Sequence, residues 1–164
     1  MLLAFDAHYT DERTRLVAAV FRDWADPEPD SLHVWETGPA VAYEPGQFYK
    51  RELPIILDAL RDFDLDAVQA VIVDGYVYLD GEGRLGLGGY LYEKLGGKVP
   101  VVGVAKSFFR GNTAVPVLRG ESSKPLYVTA LGMDPEVAAA HLRSMAGPYR
   151  MPNILAAVDR GTKA

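Results

Sequence analysis

The sequence predicts an α/β fold, a mixed β-sheet with helices on both faces, and three observations carry that reading. Two short, nearly all-apolar runs, at 67–73 and 99–104, suit strands buried on both sides. Ile55, Ile56, Leu57, Leu60 and Phe63 recur at helical spacing ahead of the first of these runs. Three strand-like stretches open the chain and strand–helix–strand units follow, so antiparallel and parallel pairing belong to one sheet. With 164 residues, 49% hydrophobic and 24% charged, the chain is expected to form one domain over 1–164 with a full core.

The elements follow in order. Residues 2–5 read as a strand, His8 to Arg13 as a polar turn and 14–21 as a second strand. The prolines and acids of 26–30 mark a loop, and 32–36 alternates well enough for a third strand. Residues 37–46 are irregular, with Pro39, Pro45 and two glycines. Pro54 is expected in the first turn of the next helix, where its missing N–H is harmless, with Glu52 just ahead of it or in that turn. A buried strand over 67–73, a helix over 85–95 despite Gly86, Gly88 and Gly89, and a buried strand over 99–104 come next. Residues 115–118 and 126–129 read as a hairpin around Gly120-Glu-Ser-Ser. Asp134 and Pro135 make a good cap and first position for a helix, and 152–160 is a last short one. Gly81-Glu-Gly-Arg-Leu-Gly86 fits the dinucleotide pattern G-x-G-x-x-G but reads as a turn into a helix. The clear strand ends at Asp74, not just before Gly81, and the opening meander is wrong for a nucleotide-binding βαβ unit.

Composition narrows the chemistry. There is no cysteine, which removes disulfides and thiolate metal sites. Three histidines, His8, His33 and His141, are too few for a zinc site built mainly from histidine. His8 and His141 read as structural or exposed, with His8 close enough to Asp6 to support it. No apolar stretch approaches the roughly 20 residues of a membrane span. Met1 is followed too soon by Asp6 for a signal-peptide apolar region, so a cytoplasmic location is expected. The net charge is −5, but it is uneven. Residues 1–97 hold 8 Lys and Arg against 18 Asp and Glu, whereas 98–164 hold 9 against 4. That asymmetry allows a basic rim facing an acidic centre.

Four carboxylates stand out. Asp6 and Asp74 end apolar runs, Glu52 opens a helical pattern, and Asp159 lies in the C-terminal helix. Carboxylates on neighbouring strand ends, joined by others from packed helices, suit magnesium or manganese. Two such ions about 3.5–4 Å apart make a centre that cleaves phosphodiesters. Singly, each residue fits a turn or a helix start equally well.

The element order resembles the ribonuclease H-like fold, whose carboxylates come from the first strand, the first main helix, the fourth strand and a C-terminal helix. Asp6, Glu52, Asp74 and Asp159 occupy those four places. More specifically, Tyr43-Glu-Pro45-Gly46-Gln-Phe-Tyr-Lys-Arg51-Glu52-Leu-Pro54 resembles the endonuclease V signature, with the same spacing from tyrosine to glutamate. Val71-Ile-Val-Asp74-Gly75 is similar to the family's Val-Asp-Gly strand end, and Gly103-Val-Ala-Lys106-Ser107 matches residue for residue. Lys124 to Thr129 resembles the family hairpin, and Tyr149-Arg-Met-Pro152 resembles its closing Tyr-Arg-Leu-Pro segment.

The resemblance implies a metal-dependent endonuclease that recognises deaminated bases in DNA, chiefly deoxyinosine, and uses Mg²⁺ or Mn²⁺. Asp6, Glu52, Asp74 and Asp159 would then be metal ligands or orient the attacking water, and Lys106 would lie near the scissile phosphate. Tyr43, Pro45 and Gly46 would form the wedge that fills the gap left by an extruded base, and Gly75 would help line the base pocket. The chain departs from the family at Asp6-Ala-His-Tyr9, at Asp80 in place of a histidine, and at Leu131-Gly-Met-Asp134. An RNA or structured nucleic-acid substrate, a non-catalytic nucleic-acid-binding protein on the same fold, and, more remotely, a nucleotide-binding protein using the glycine segment stay open as alternatives.

Overall fold

The computed structural model describes residues 1–39 and 49–164. Among them, seven strands form one sheet in the order β3-β2-β1-β4-β5-β7-β6. The strands are β1 (Leu2–Tyr9), β2 (Thr14–Phe21), β3 (Ser31–Thr37), β4 (Ala70–Asp74), β5 (Val101–Ala105), β6 (Val115–Val117) and β7 (Leu126–Leu131). The helices are α1 (Tyr49–Leu60), α2 (Leu87–Lys94), α3 (Pro135–Ser144) and α4 (Asn153–Thr162). The opening meander pairs antiparallel, β1 and β4 then pair in parallel, as do β4 and β5, and β7 returns antiparallel.

Side-chain alternation divides the core between the two faces. Leu2, Ala4, Ile72, Val102 and Val104 pack with Leu142 of α3 and Ile154, Leu155 and Val158 of α4. Leu3, Phe5, Val71, Val73 and Val101 pack with Leu53, Ile56 and Leu60 of α1 and Leu91 of α2. The central strands are buried on both sides, which is why 70–73 and 101–104 read as continuous apolar runs. β3 closes one edge, and its Leu32 and Val34 stand exposed there.

Several boundaries differ from the sequence expectation. β1 runs on through Asp6 to Tyr9, because β2 pairs with it along its whole length. α1 begins at Tyr49, so Pro54 stands inside the helix, not in its first turn. The helix tolerates the loss of one N–H bond there because its apolar side, with Leu53, Ile55, Ile56, Ala59 and Leu60 buried, packs on the sheet. β4 starts at Ala70, since residues 65–67 form a 3₁₀ turn that the Asp64 carboxylate caps by accepting from the Asp66 N–H at 3.1 Å. At α3 Asp134 caps as expected, accepting from the Glu136 N–H at 2.8 Å ahead of Pro135.

The glycines in the first turn of α2 are a packing device. A Cβ on Gly89 would lie 2.4 Å from the Val77 carbonyl oxygen, and one on Gly88 2.7 Å from the Val77 side chain. These glycines let α2 seat closely against the chain that leaves β4. Among the described residues no helix is long and apolar enough to cross a membrane.

Candidate active site at the carboxyl edge of the sheet

The parallel pairing of β1 with β4 runs from Leu2–Ala70 to Phe5–Val73 and then stops. Asp6 and Asp74 are the next residues on each strand, so they stand side by side where the two strands part. Both share the face that carries Ala4 and Ile72, which is the α4 face. Lys106, one residue past β5, has the same alternation. These three line a depression with Met151, Leu155 and Asp159 of the α4 region. Glu52 arrives from the opposite face, in the first turn of α1. Asp6 and Asp74 nevertheless act on it electrostatically, so the four carboxylates meet around one sheet end.

Crowding shows in their proton affinities. Burial, then the Asp74 charge, pushes the Asp6 carboxyl up to about 7. Burial, then Asp74 and Asp6, pushes Glu52 up to about 8. Asp74 opens to solvent at the mouth of the depression, yet protein crowds it on its other sides. That partial desolvation raises its pKa, with Lys106 opposing and Asp159 adding to the shift. Like charges gathered in a low-dielectric setting repel, and either protons or a cation must relieve them. Lys106 supplies part of that relief, lowering both Asp6 and Asp74.

Further contacts orient the acids. Asp6 Oδ1 accepts from the Ala7 N–H at 2.8 Å. The Tyr9 ring lies under the Arg51 guanidinium, 4.1 Å from ring centroid to Cζ. The Tyr9 hydroxyl is buried without a well-aligned hydrogen bond, although the Glu52 carboxyl is close enough to raise its pKa further after burial. Asp159 pairs with Lys163 one turn along α4, at 3.2 Å. Among the described residues, no three of the acids and histidines stand converged around a single point. The donor set suits a hard divalent cation in its chemistry, being carboxylates gathered at one sheet end. Asp159 would have to turn from Lys163 to join it.

Gly75 follows the fork with φ +115, a backbone state that side chains disfavour, and a Cβ there would meet none of the described residues within 4 Å. Its N–H donates to the Val104 carbonyl at 3.0 Å. Gly103 makes this turn possible: a Cβ on it would lie 2.5 Å from the Gly75 oxygen and 2.8 Å from Thr129 Oγ1. Thr129 Oγ1 accepts from the Val77 N–H at 2.8 Å inside the core. The wedge residues Tyr43, Pro45 and Gly46 lie outside the described residues. Asp80, at the histidine position of the resemblance, is closed into its own turn. It binds Arg84 Nε at 2.7 Å and accepts from the Glu82 N–H at 2.9 Å, so its charge is compensated locally. His8 is exposed on β1, and His141 stacks on Trp24 at 4.7 Å.

Two arginines that sequence reading passed over bind this edge together. Arg150 donates to the carbonyls of Lys106, Lys124 (3.0 Å) and Pro125 (2.8 Å), which fastens the Lys106 backbone to the hairpin. Arg119, 5% exposed, donates to the carbonyls of Leu142, Arg143, Met145, Gly147, Tyr149 and Arg150. It thereby caps the C-terminus of α3 and holds the segment that carries Arg150. Tyr149-Arg-Met-Pro152 was the available signal for Arg150; an arginine in a hairpin gave none for Arg119.

A seven-stranded mixed sheet with carboxylates gathered at its carboxyl edge from strands and from helices on both faces defines a ribonuclease H-like protein. Residues 1–151 match the profile of the Endonuclease V family, and the chain belongs to that family. Endonuclease V of Xylella fastidiosa (strain 9a5c) is 32% identical over 122 residues, covering 71% of this chain and 47% of that protein. The chain thus spans about half the length of the curated relatives it matches. Among solved structures, Endonuclease V of Streptomyces avermitilis is similar with TM-score 0.66 and 26% identity, covering 99% of this chain and 79% of that one. Human ENDOV gives 0.77 at 20%, covering 99% and 82%. Ciona intestinalis Endonuclease V, in complex with a 24mer DNA containing an inosine followed by a ribo-adenosine, gives 0.80 at 15%, covering 99% and 83%. The last two likenesses concern the fold alone.

Proposed function

We propose that this chain is a metal-dependent endonuclease that hydrolyses a phosphodiester near a deaminated base, chiefly deoxyinosine, in DNA. The observation that carries the proposal is the fork of β1 and β4, where Asp6 and Asp74 stand together with Asp159, Lys106 and Glu52 around them. Family membership supports the same chemistry, and the inosine-containing DNA bound to the Ciona relative supports the substrate class.

In this reading Asp6 and Asp74 hold Mg²⁺ or Mn²⁺, with Glu52 and Asp159 as further ligands or as groups that orient water. A bound divalent ion lowers the pKa of water and neutralises charge on the phosphate and leaving oxygens. The protein's own part is positional and electrostatic. Lys106, held through its carbonyl by Arg150, keeps a positive charge beside the depression, where the phosphoryl oxygens gain negative charge. Tyr9 and Arg51 brace Glu52 on the α1 face. Gly75, with no described residue within 4 Å of where its Cβ would stand, leaves room for a flipped base to approach the backbone closely. Tyr43 with Pro45 and Gly46 is assigned the wedge on its motif. One sheet that joins strands from both ends of the described chain supports a single domain over 1–164, and a chain without cysteine is compatible with the cytoplasm.

The test uses end-labelled DNA and RNA strands, with and without one inosine, incubated with Mg²⁺ or Mn²⁺. A nick on the 3′ side of inosine in DNA is expected from the wild type, and none from Asp74→Asn, which keeps the shape but loses the charge. No nicking by the wild type, or equal nicking by the variant at equal thermal stability, would refute the assignment.

A further inference from the structure

Four aromatic side chains form a continuous patch at the same sheet edge. Tyr76 follows Gly75, and its ring lies 6.0 Å from Phe109 and 6.5 Å from Tyr127. Phe108 meets Tyr127 edge-on at 5.8 Å and is 67% exposed. A large ring left in water forgoes burial, and a run of four touching rings is more than a scattered exposed residue. The Tyr76 hydroxyl explains how Phe108 is kept out. It donates to the Ser107 carbonyl at 2.8 Å and accepts from the Phe109 N–H at 3.1 Å. The backbone on each side of Phe108 is therefore pinned, and its ring is presented in advance.

The setting is basic. Between Ala105 and Tyr127 the exposed cations are Lys106, Arg110 and Lys124, against a single acid, Glu121. On the other side of the patch Arg84 lies over Phe109, 5.8 Å from the ring centroid, with its charge shared by Asp80 and with Glu82 nearby in the chain. The patch also begins two residues after Lys106, the cation assigned to the scissile phosphate.

We propose that Tyr76, Phe109, Phe108 and Tyr127 are a stacking platform for unpaired bases of the DNA strand that enters the active site. The inference rests on the nuclease reading for the strand's position. Aromatic rings beside positive charge fit single strands, whose bases offer free π-faces while the backbone follows the cations. In a duplex those faces are occupied by neighbouring bases. The platform therefore favours a strand that is melted or unpaired next to the cleavage point.

The test is fluorescence anisotropy in EDTA, so that binding is read without cleavage, using a labelled 20-mer DNA strand alone and in its duplex. Phe108→Ala should weaken single-strand binding about fivefold or more and duplex binding less than about twofold. Phe108→Trp should restore the single-strand affinity. An equal loss on both probes, no loss, or no rescue by tryptophan would overturn the platform. Sedimentation of the wild type and Phe108→Ala decides the remaining case: a wild-type dimer that the variant dissociates would make the patch a self-contact and also overturn it. Failure of the nuclease reading would appear separately, as absent nicking with the binding difference intact. An RNA strand of the same sequence, bound tenfold more tightly than DNA, would refute the choice of DNA.

Discussion

Arg119→Met removes a buried cation that donates to six backbone carbonyls, and the structure sets the scale of the loss. The bonds to the Leu142 and Met145 oxygens, each 2.8 Å, lie fully inside the protein. Methionine fills much of the volume but donates nothing, so both oxygens lose their partner without gaining water. Each stranded buried acceptor costs about 1–3 kcal/mol, which gives about 2–6 kcal/mol for the pair. The partly buried bonds to Arg143, Gly147, Tyr149 and Arg150 can be replaced by water and add little. At about 2–4 °C per kcal/mol for a chain of this size, the melting temperature should fall by roughly 10 °C. Urea unfolding followed by circular dichroism checks the free energy, with the denaturant slope expected unchanged. Arg119→Lys should fall between wild type and Met, because one ammonium cannot span carbonyls that three guanidinium nitrogens reach. A loss below about 1 kcal/mol for Arg119→Met would refute the reasoning, since the two oxygens would then have found other partners.

Two further outcomes follow from the site. Asp6 and Glu52 have proton affinities raised from ordinary values of 3.8 and 4.5 to about 7 and about 8, so the folded protein holds protons that the unfolded chain releases. Their stabilising contribution is complete below the ordinary values and is lost as pH rises through 7 and 8, so in EDTA the protein should melt lower at pH 8.5 than at pH 5.5. Glu52→Gln should flatten that slope, and equal or higher melting at pH 8.5 would contradict it. Gly103→Ala should cost about 1–3 kcal/mol in urea unfolding and reduce nicking, since its Cβ would press on the Gly75 oxygen at 2.5 Å. Gly38→Ala, with none of the described residues within 4 Å of the new Cβ, serves as the control expected within about 0.5 kcal/mol, and equal effects of the two would remove the packing argument.

The fold class, the seven strands and the four helices were legible, mostly from periodicity, because burial on one or both faces writes itself into neighbouring residues; the 3₁₀ turn at 65–67 was not. β2 was read to the residue, and the Asp134–Pro135 start of α3 was plain from local capping chemistry. Boundaries failed where a partner decided them. β1 continues past Asp6 because β2 lies beside it, and α1 holds Pro54 inside because the sheet stabilises its buried side. The candidate acids were read as the ends of two apolar runs (Asp6, Asp74), a helix start (Glu52) and a position in the C-terminal helix (Asp159), and the family pattern tied them together; β1 in fact runs past Asp6.

Only the tertiary structure decided how they meet. The register of β1 on β4 sets Asp6 beside Asp74, and α1 and α4 bring Glu52 and Asp159 from opposite faces. It also turned Asp159 toward Lys163, closed Asp80 onto Arg84, and made Arg119 and Arg150 the fasteners of the Lys106 edge. The arginine contacts were hidden because an arginine that binds carbonyls 23 to 44 residues away leaves no local pattern. Its partners are backbone oxygens, which every residue carries, and only the folded chain selects which of them come within reach.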